Sequence, residues 1–298
     1  MTTNDIISKI WLKELKGGRA PWLNENFTKN SYAYNRFNKN KPYSLLNQLL
    51  LPYSGEYATL KQWASIGGIL KRGEKPFTVT FWHLINLGLS CVVDDNSDDG
   101  GEKNKKVPIL KNYNVYHISQ IDNVTPIKIN SLHTCVGSFI NSFEKANNVI
   151  KEYLLWLKEN FSNFTIEKVL TTEPSFSSHD DNNYSLLLPD DDIMPIPKDV
   201  IIYKKIFKVL ALSYLCTNEL WLKTPSNERY RKYYIAEICS YLLLQYCGFD
   251  ISHYENLLSQ NLLDDLIFEI EKNHDFITKI IHYVELTCSA ITKDNRFI

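Results

Sequence analysis

The stretch from Thr59 to Trp82, TLKQWASIGGILKRGEKPFTVTFW, contains three kinds of local structure in succession. Thr59 predicts the start of a helix, because its side-chain oxygen can accept a hydrogen bond from the first turn. Gly67 and Gly68 predict its end, since glycine adopts the left-handed conformation without steric cost. Residues 69–76 follow as a short apolar pair and a basic turn, and residues 77–82 alternate as a strand does. A helix, a turn and a strand are therefore expected here.

The turn and the strand together have two interpretations. The alternation places Phe77, Val79 and Phe81 on one face of the strand and Trp82 on the other. Cations on a turn can contact phosphates while aromatic side chains stack on bases, which is typical of a surface for single-stranded nucleic acid. An ordinary hairpin with a solvated turn explains the same residues, so both interpretations stay open at this point.

Length and charge indicate the number of domains and where an anionic partner would bind. The chain of 298 residues suggests one large domain or two ordinary ones, and a hydrophobic share of 44% indicates a folded protein. Residues 1–125 carry 16 Lys and Arg against 11 Asp and Glu, whereas residues 126–298 carry 17 against 23. An anionic partner is therefore expected to contact the N-terminal half.

The cysteines and the apolar segments point to a cytoplasmic protein. The six cysteines show no CxxC pair, which favours reduced thiols in the core. Residues 1–18 lack the long apolar run of a signal peptide. The most apolar window, residues 79–93, is too short for a membrane span. We therefore expect no membrane partner.

A second candidate binding segment precedes the opening stretch. Residues 24–43 are rich in Asn and Tyr and have few aliphatic side chains. Tyr34 and Tyr43 alternate there with Arg36, Lys39 and Lys41, which is the combination expected for binding single strands. A loop held to the core by its aromatic side chains is the alternative.

The rest of the chain changes from mixed structure to mainly helical structure. Residues 94–106, DDNSDDGGEKNKK, read as an exposed charged loop whose aspartates do not have the spacing of a calcium site. Helices are predicted at 5–16, 44–51, 141–158, 199–216, 227–246, 252–260, 262–272 and 275–292, and strands at 77–82, 85–93, 107–119, 164–170 and 184–188. Residues 175–183, SFSSHDDNN, read as a turn.

Four N-terminal segments, in the same order, resemble ArdC-type antirestriction proteins. They are Gly17 to Trp22, Tyr43 to Asn47, Thr59 to Trp82 and Val115 to Gln120. The resemblance implies an N-terminal domain that binds single-stranded DNA, followed by a zincin-like metallopeptidase domain. It also implies a role on a mobile genetic element, in antirestriction or DNA protection.

The second half departs from that family at the zinc motif. Where the family has His-Glu-Leu-Ala-His, this chain has Lys208, Val209, Leu210, Ala211 and Leu212. A zinc helix needs two imidazoles at i and i+4 and a glutamate as general base, and Lys208, Val209 and Leu212 supply none of these groups.

Glu237 falls where the resemblance places the family's third zinc ligand. A pair between Lys208 and Glu237 in place of the metal is one hypothesis. Two exposed helix residues are the alternative.

The sequence therefore predicts a non-enzymatic protein without metal or cofactor that binds single-stranded DNA, with single-stranded RNA as a second candidate ligand. A pseudo-metallopeptidase scaffold that binds a protein partner through its acidic C-terminal domain is the alternative function, and an active hydrolase is a third. The predicted nucleic-acid-binding residues are Trp22, Tyr34, Arg36, Lys39, Lys41, Tyr43, Asn47, Lys71, Arg72, Lys75 and Trp82, with Trp63 as a further stacking candidate.

The predicted fold class is α+β. An α+β single-stranded-DNA-binding-like domain over residues 1–125 and a linker over 126–140 precede a mainly helical, zincin-like domain with a small sheet over 141–298.

Overall fold

The structure is a computed structural model. It describes residues 1–23, 32–38, 41–87, 105–127, 142–179, 183–190, 199–251 and 259–294. Lys39, most of the charged loop at 94–106, most of the predicted linker and most of the predicted helix at 252–260 lie outside these residues.

The first part of the chain alternates short helices and strands. The elements are α1 (Thr3–Lys16), β1 (Ala33–Asn35), α2 (Leu45–Leu50), β2 (Gly55–Ala58), α3 (Leu60–Ala64), β3 (Ile69–Leu70), β4 (Phe77–Leu87), β5 (Lys105–His117) and β6 (Ile121–Asp122). Four strands form one sheet in the order β1-β2-β5-β4, and β3 pairs with β6. Strand β4 is an edge strand of the larger sheet.

The second part is mainly helical. Its elements are α4 (Ser142–Asn160), β7 (Phe164–Val169), β8 (Ser175–His179), β9 (Asn183–Pro189), α5 (Val200–Thr217), α6 (Glu219–Leu222), α7 (Lys232–Cys247), α8 (Gln260–Lys272) and α9 (Phe276–Thr292). The three strands form a sheet in the order β7-β9-β8. The predicted α+β fold class is confirmed.

The opening stretch folds as its residues indicate. Thr59 caps α3 by accepting a hydrogen bond from the Gln62 N–H, and the Gln62 side-chain oxygen accepts one from the Thr59 N–H, which completes a capping box. Gly67 ends the helix region at φ 82°, a conformation that favours glycine. A Cβ on Gly68 would lie 2.8 Å from Ile121 Cγ2, so the close approach of β6 also requires glycine there.

Three sequence expectations are corrected. Residues 175–179 form strand β8 rather than a turn, because their backbone pairs antiparallel with β9. The helix predicted from residue 227 begins as α7 at Lys232, after a 3₁₀ segment over Ser226–Arg231. The strand predicted to end at Trp82 continues to Leu87, because it pairs with β5 along its whole length.

The largest hydrophobic core joins both parts of the chain. Trp11 of α1 and Leu45 of α2 are buried in the same cluster as Phe207 of α5 and Ile280 of α9. Two helices of the predicted first domain therefore pack into the helical core of the second. Within the described residues, no helix is both long enough and apolar enough to cross a lipid bilayer.

Glu285 of α9 links this core to α2. Burial raises the pKa of Glu285 to about 7, against the opposing effect of backbone hydrogen bonds from Leu46 and Leu45. Because a buried carboxylate prefers to be neutral, the folded state holds the Glu285 proton more tightly than the unfolded chain does.

We expect Glu285→Gln to flatten the dependence of stability on pH. For a carboxyl group with a raised pKa, stability is full below the unfolded value and declines as pH rises through the folded value. The wild-type free energy of unfolding should therefore fall by about 2 kcal/mol from pH 5 to pH 8 relative to Glu285→Gln. Urea titrations of both proteins at both pH values measure this difference. The same change in the free energy of unfolding with pH in both proteins would contradict it.

Candidate functional site

The long hairpin of β4 and β5 is the most exposed part of the N-terminal sheet. The two strands pair from Phe77↔Val115 to Leu87↔Lys105. At the base of the hairpin, Val79 and Val115 are buried with Tyr43 and Tyr57. Beyond this base, Phe81, Trp82, Leu84, Ile109 and Tyr113 all keep more than a third of their surface exposed. The hairpin therefore presents exposed apolar side chains on both faces of the strand pair.

Asn47 holds the base of this hairpin and is corrected from a binding residue to a structural one. Its side-chain Nδ2 donates to the Thr80 carbonyl oxygen at 2.8 Å, and its Oδ1 accepts from the Thr80 N–H at 2.7 Å. The Asn47 amide thus replaces a neighbouring strand at the edge of β4. With 1% of its surface exposed, it is not accessible to a ligand.

We expect Asn47→Leu to destabilise the fold by about 2–4 kcal/mol, since it removes three buried hydrogen bonds to Thr80 and leaves the Thr80 backbone groups unpaired. Chemical denaturation measures this loss. Asn114→Ala, at an exposed position of β5, is the matched control and should change stability by less than about 0.5 kcal/mol. Equal effects of the two substitutions would contradict the role of Asn47.

Four aromatic side chains predicted to stack on bases are buried. Trp22 is fully buried against Trp11, with ring centroids 5.7 Å apart. Trp63 is fully buried and donates from Nε1 to the Tyr116 carbonyl oxygen at 2.9 Å. Tyr34 and Tyr43 are each 6% exposed. Since a base needs an open ring face for stacking, these four are corrected to core residues.

Arg36 is engaged within the protein. Its Nη1 lies 2.5 Å from Glu56 Oε2 and donates to the Thr125 carbonyl oxygen at 3.1 Å. The guanidinium also lies over the Trp63 ring, 5.5 Å from the centroid. Arg36 therefore holds β1 and β2 to the segment that follows β6, and the prediction that it contacts a phosphate is corrected.

The other predicted cations lie on the surface. Arg72 and Lys75 are exposed on the turn before β4, and Lys41 is exposed before α2. Lys71 is half-exposed, and its Nζ donates to the Ser119 carbonyl oxygen at 2.7 Å. Lys71 thus also fastens the turn to the end of β5, whereas Arg72 and Lys75 present their charges to solvent.

One face of the hairpin carries aromatic side chains around a lysine. Direct pairing places Phe81 opposite Lys111 and His83 opposite Ile109, so all four lie on one face. The Tyr113 ring lies 5.8 Å from Phe81 and 5.7 Å from His83, and its hydroxyl is 2.6 Å from His83 Nε2. We call these five residues the aromatic face.

None of these five residues is among the predicted nucleic-acid-binding residues, although the strand that carries Phe81 was expected to offer aromatic side chains for stacking. The alternation of residues 77–82 placed Phe81 on one strand face but did not identify its partners on β5. The signal for finding them was the second strand-like run at 107–119, because antiparallel pairing sets Tyr113, Lys111 and Ile109 beside β4. Trp82 is 62% exposed but points to the opposite face, opposite Leu110.

A second cluster occupies the place where the resemblance would put a metal site. Glu237 of α7 is 5% exposed. Each of its two carboxylate oxygens forms an ion pair with a lysine ammonium group. Lys204 Nζ lies 2.6 Å from Oε1, and Lys208 Nζ lies 2.6 Å from Oε2. Lys204 also lies over the Tyr241 ring, 4.3 Å from its centroid. The predicted pair of Lys208 and Glu237 is confirmed, with Lys204 as an unforeseen second partner.

This cluster does not fit a divalent cation. Burial acts to raise the pKa of Glu237, but the attraction and hydrogen bonds of Lys204 and Lys208 outweigh it, so the pKa lies below its ordinary value. Two ammonium groups saturate the carboxylate and would repel a metal ion. Among the described residues, no three His, Cys, Asp or Glu side chains are gathered into a possible metal site.

Comparison with known proteins supports the resemblance. Residues 2–116 match the family model of the N-terminal domain of anti-restriction factor ArdC. Over 99% of its length, the chain is also similar to a solved structure of the antirestriction ArdC protein from the R388 plasmid in its metal-free form, with a TM-score of 0.62, 13% identity and 98% of that chain covered. The resemblance to ArdC-type proteins is confirmed.

A second solved structure of the R388 protein, described as Mn(II)-bound, gives a TM-score of 0.61 at 14% identity, with the same coverage. At these identities the likeness shows the fold, and the metal belongs to that protein. No curated protein sequence matches this chain.

Proposed function

We propose that this chain binds single-stranded DNA through the aromatic face of the β4–β5 hairpin and acts without catalysis. The observation that carries the proposal is that Phe81, His83 and Tyr113 share one exposed face of the strand pair with Lys111. Exposed ring surfaces provide stacking area that every base can use, and a lysine on the same face can contact the phosphate that links two bases.

The charge distribution supports the same face. Strand β4 carries no charged residue, whereas β5 carries the exposed Lys111 on the aromatic face and the exposed Lys106 on the opposite face. Arg72 and Lys75 add two exposed cations at the base of the same hairpin. A strand of phosphates that follows the aromatic face would meet cations at the base and at Lys111, and would meet no carboxylate on β4.

The cluster at Glu237 supports the non-catalytic part of the proposal. A metal-assisted hydrolysis needs ligands for the ion and a general base beside it. Lys208 and Leu212 offer no metal-binding atom, and Val209 cannot accept a proton. The one carboxylate at this place is held by two lysines. We infer that the second half of the chain serves as a structural support for the first.

The biological role that follows is antirestriction by DNA protection. The similar structures are those of an antirestriction protein from a plasmid, which supports placing this chain on a mobile element. Binding through stacking tolerates any sequence, as protection of incoming single strands requires. Because single-stranded RNA offers the same bases and phosphates, it is the natural competitor ligand to include.

We expect Lys111→Glu to reduce both the affinity for an oligothymidine and its dependence on salt. Loss of one phosphate contact should make the slope of log K against log salt shallower by about 0.7. Fluorescence anisotropy at several salt concentrations measures the slope. The control is Lys272→Glu, next to the exposed Phe268 of α8, with 5.9 Å between Lys272 Nζ and the Phe268 ring. An unchanged slope for Lys111→Glu would contradict the proposed contact.

A further inference from the structure

The two edges of the β4–β5 hairpin are protected to different degrees. On β5, the positions paired with Trp82 and Leu84 are Leu110 and Pro108. The Thr3 hydroxyl of α1 donates to the Leu110 carbonyl oxygen at 3.0 Å. Pro108 has no N–H to offer a further strand, which is a common way to block an edge. The outer edge of β5 is therefore occupied or blocked.

The outer edge of β4 is open beyond the base. Asn47 binds both the N–H and the C=O of Thr80, which shows that these groups point away from β5. In an antiparallel pair the outward-pointing residues alternate, so Trp82 and Leu84 also point their backbone groups outward. No hydrogen-bond partner within the described ranges reaches those groups of Trp82 or Leu84. Within the described residues, the backbone N–H and C=O groups of Trp82 and Leu84 are thus unpaired donors and acceptors along the outer edge of β4.

The side chains along this edge add apolar surface without charge. Trp82 is 62% exposed and Leu84 is 67% exposed, and both lie on the face opposite the aromatic face. From Phe77 to Leu87 the strand has no Lys, Arg, Asp, Glu or Pro. Natural edge strands that stay unpaired usually carry such residues to prevent strand addition. The composition of β4 therefore favours pairing of its outer edge with a further strand.

We propose that the outer edge of β4 pairs with β4 of a second copy of this chain, in antiparallel orientation about a two-fold axis. The edge of β4 has no charged residue that could bind a charged peptide selectively. A second β4 is complementary to it, because it has the same uncharged edge. A two-fold at Leu84 places Leu84 opposite its own copy and Trp82 opposite Asn86 of the copy. Isologous pairing of this kind closes after two subunits.

This register also leaves the hydrogen bonds between Asn47 and Thr80 at the base of the hairpin intact. The second copy ends its pairing at Trp82 and does not reach Thr80, whose outward groups Asn47 already occupies. The two hairpins then form one continuous sheet in the order β5-β4-β4-β5. The aromatic faces stay uncovered, because the new hydrogen bonds lie in the plane of the sheet.

The test is the oligomeric state of the full chain without nucleic acid, which keeps it independent of the proposed binding function. Sedimentation equilibrium of wild type should show a dimer that dissociates on dilution. Leu84→Lys should weaken the dimer by at least about tenfold, because a lysine on each copy would then lie at the two-fold. Ile109→Lys, at an exposed apolar position on β5 and on the other face, should leave the dimer intact.

A cross-link tests the register. Hydrogen-bonded residues that face each other in an antiparallel pair have Cα atoms about 5.5 Å apart, within the range that a disulfide spans. Leu84→Cys should therefore form a covalent dimer under mild oxidation far faster than wild type or Arg72→Cys. A wild type that stays monomeric at all concentrations, or a dimer that Leu84→Lys leaves unchanged, would overturn the proposal.

Discussion

Replacing Phe81 and Tyr113 together by alanine is expected to weaken binding of a single-stranded oligothymidine by about 100-fold, because each stacked base contributes about 1–3 kcal/mol. The two rings are 43% and 37% exposed and share one face of the strand pair with the proposed phosphate contact at Lys111. Fluorescence anisotropy with a labelled oligonucleotide measures the loss. Far-UV circular dichroism and thermal melting establish that the hairpin still forms.

The matched control for this double substitution is Phe268→Ala. Phe268 is 61% exposed and lies beside Lys272 on α8, so it reproduces the local chemistry of an aromatic ring next to a cation. Affinity should stay within about twofold of wild type, as surface substitutions away from a binding site have small effects. A folded Phe81→Ala/Tyr113→Ala protein that binds as tightly as this control would show that the aromatic face is not the binding surface.

Glu237→Gln is expected to destabilise the protein by about 3–5 kcal/mol, since it leaves a buried cation without its counterion. The side chain of Lys204 is only 13% exposed, and Glu237 Oε1 is the carboxylate atom at its ammonium group. A glutamine has nearly the same shape, so loss of charge rather than loss of volume would cause the effect. Urea denaturation at neutral pH measures the change.

The reference variant replaces the whole cluster by apolar residues: Lys204→Met, Lys208→Met and Glu237→Leu. Removing all charges of a buried cluster is often neutral or stabilising, so this protein should be at least about as stable as wild type. If Glu237→Gln and the triple variant were equally stable, the ion cluster would have no energetic role.

The same cluster predicts the response of stability to acid. Because the pKa of Glu237 is lowered in the fold, its contribution is present above the ordinary carboxyl pKa and is lost as pH falls through the folded value. Wild type should therefore lose stability below about pH 4.5 more steeply than the triple variant does.

Local patterns in the sequence predicted elements whose causes are themselves local. Thr59 and Gly67 fix the two ends of the α3 region through their own side chain and backbone, and both acted as expected. The alternation from Phe77 to Trp82 predicted β4 and its two faces. It could not predict where the base ends and the exposed part begins. That limit depends on Tyr43 and Tyr57, which cover Val79 but leave Phe81 largely open.

The binding residues were harder to predict because burial depends on distant parts of the chain. Trp22 follows a glycine pair and reads as a loop residue. Its backbone oxygen instead accepts a hydrogen bond from Gln245, which is 223 residues away. Tyr43 lies in a polar, Asn-rich segment of the sequence, yet its side chain is buried in the same cluster as Val79 of β4. No local pattern contains this information.

The cluster at Glu237 shows the opposite case. The pair of Lys208 and Glu237 was predicted because the resemblance places both residues where the family has zinc ligands, and Lys204 could have been found as well. It precedes Lys208 by four residues, so both side chains lie on one face of α5. Two lysines opposite one glutamate leave a net positive charge. Lys204 is further stabilised by the face of the Tyr241 ring, which attracts a cation.

The most direct test of the proposed function is a titration of the wild-type chain with single-stranded and duplex DNA of equal length, at about 50 and 200 mM salt. Single-strand binding through stacking and phosphate contacts predicts tighter binding of the single strand at both salt concentrations, with affinity falling as salt rises. Equal affinity for single strand and duplex, or no binding of the single strand at the lower salt concentration, would contradict the account.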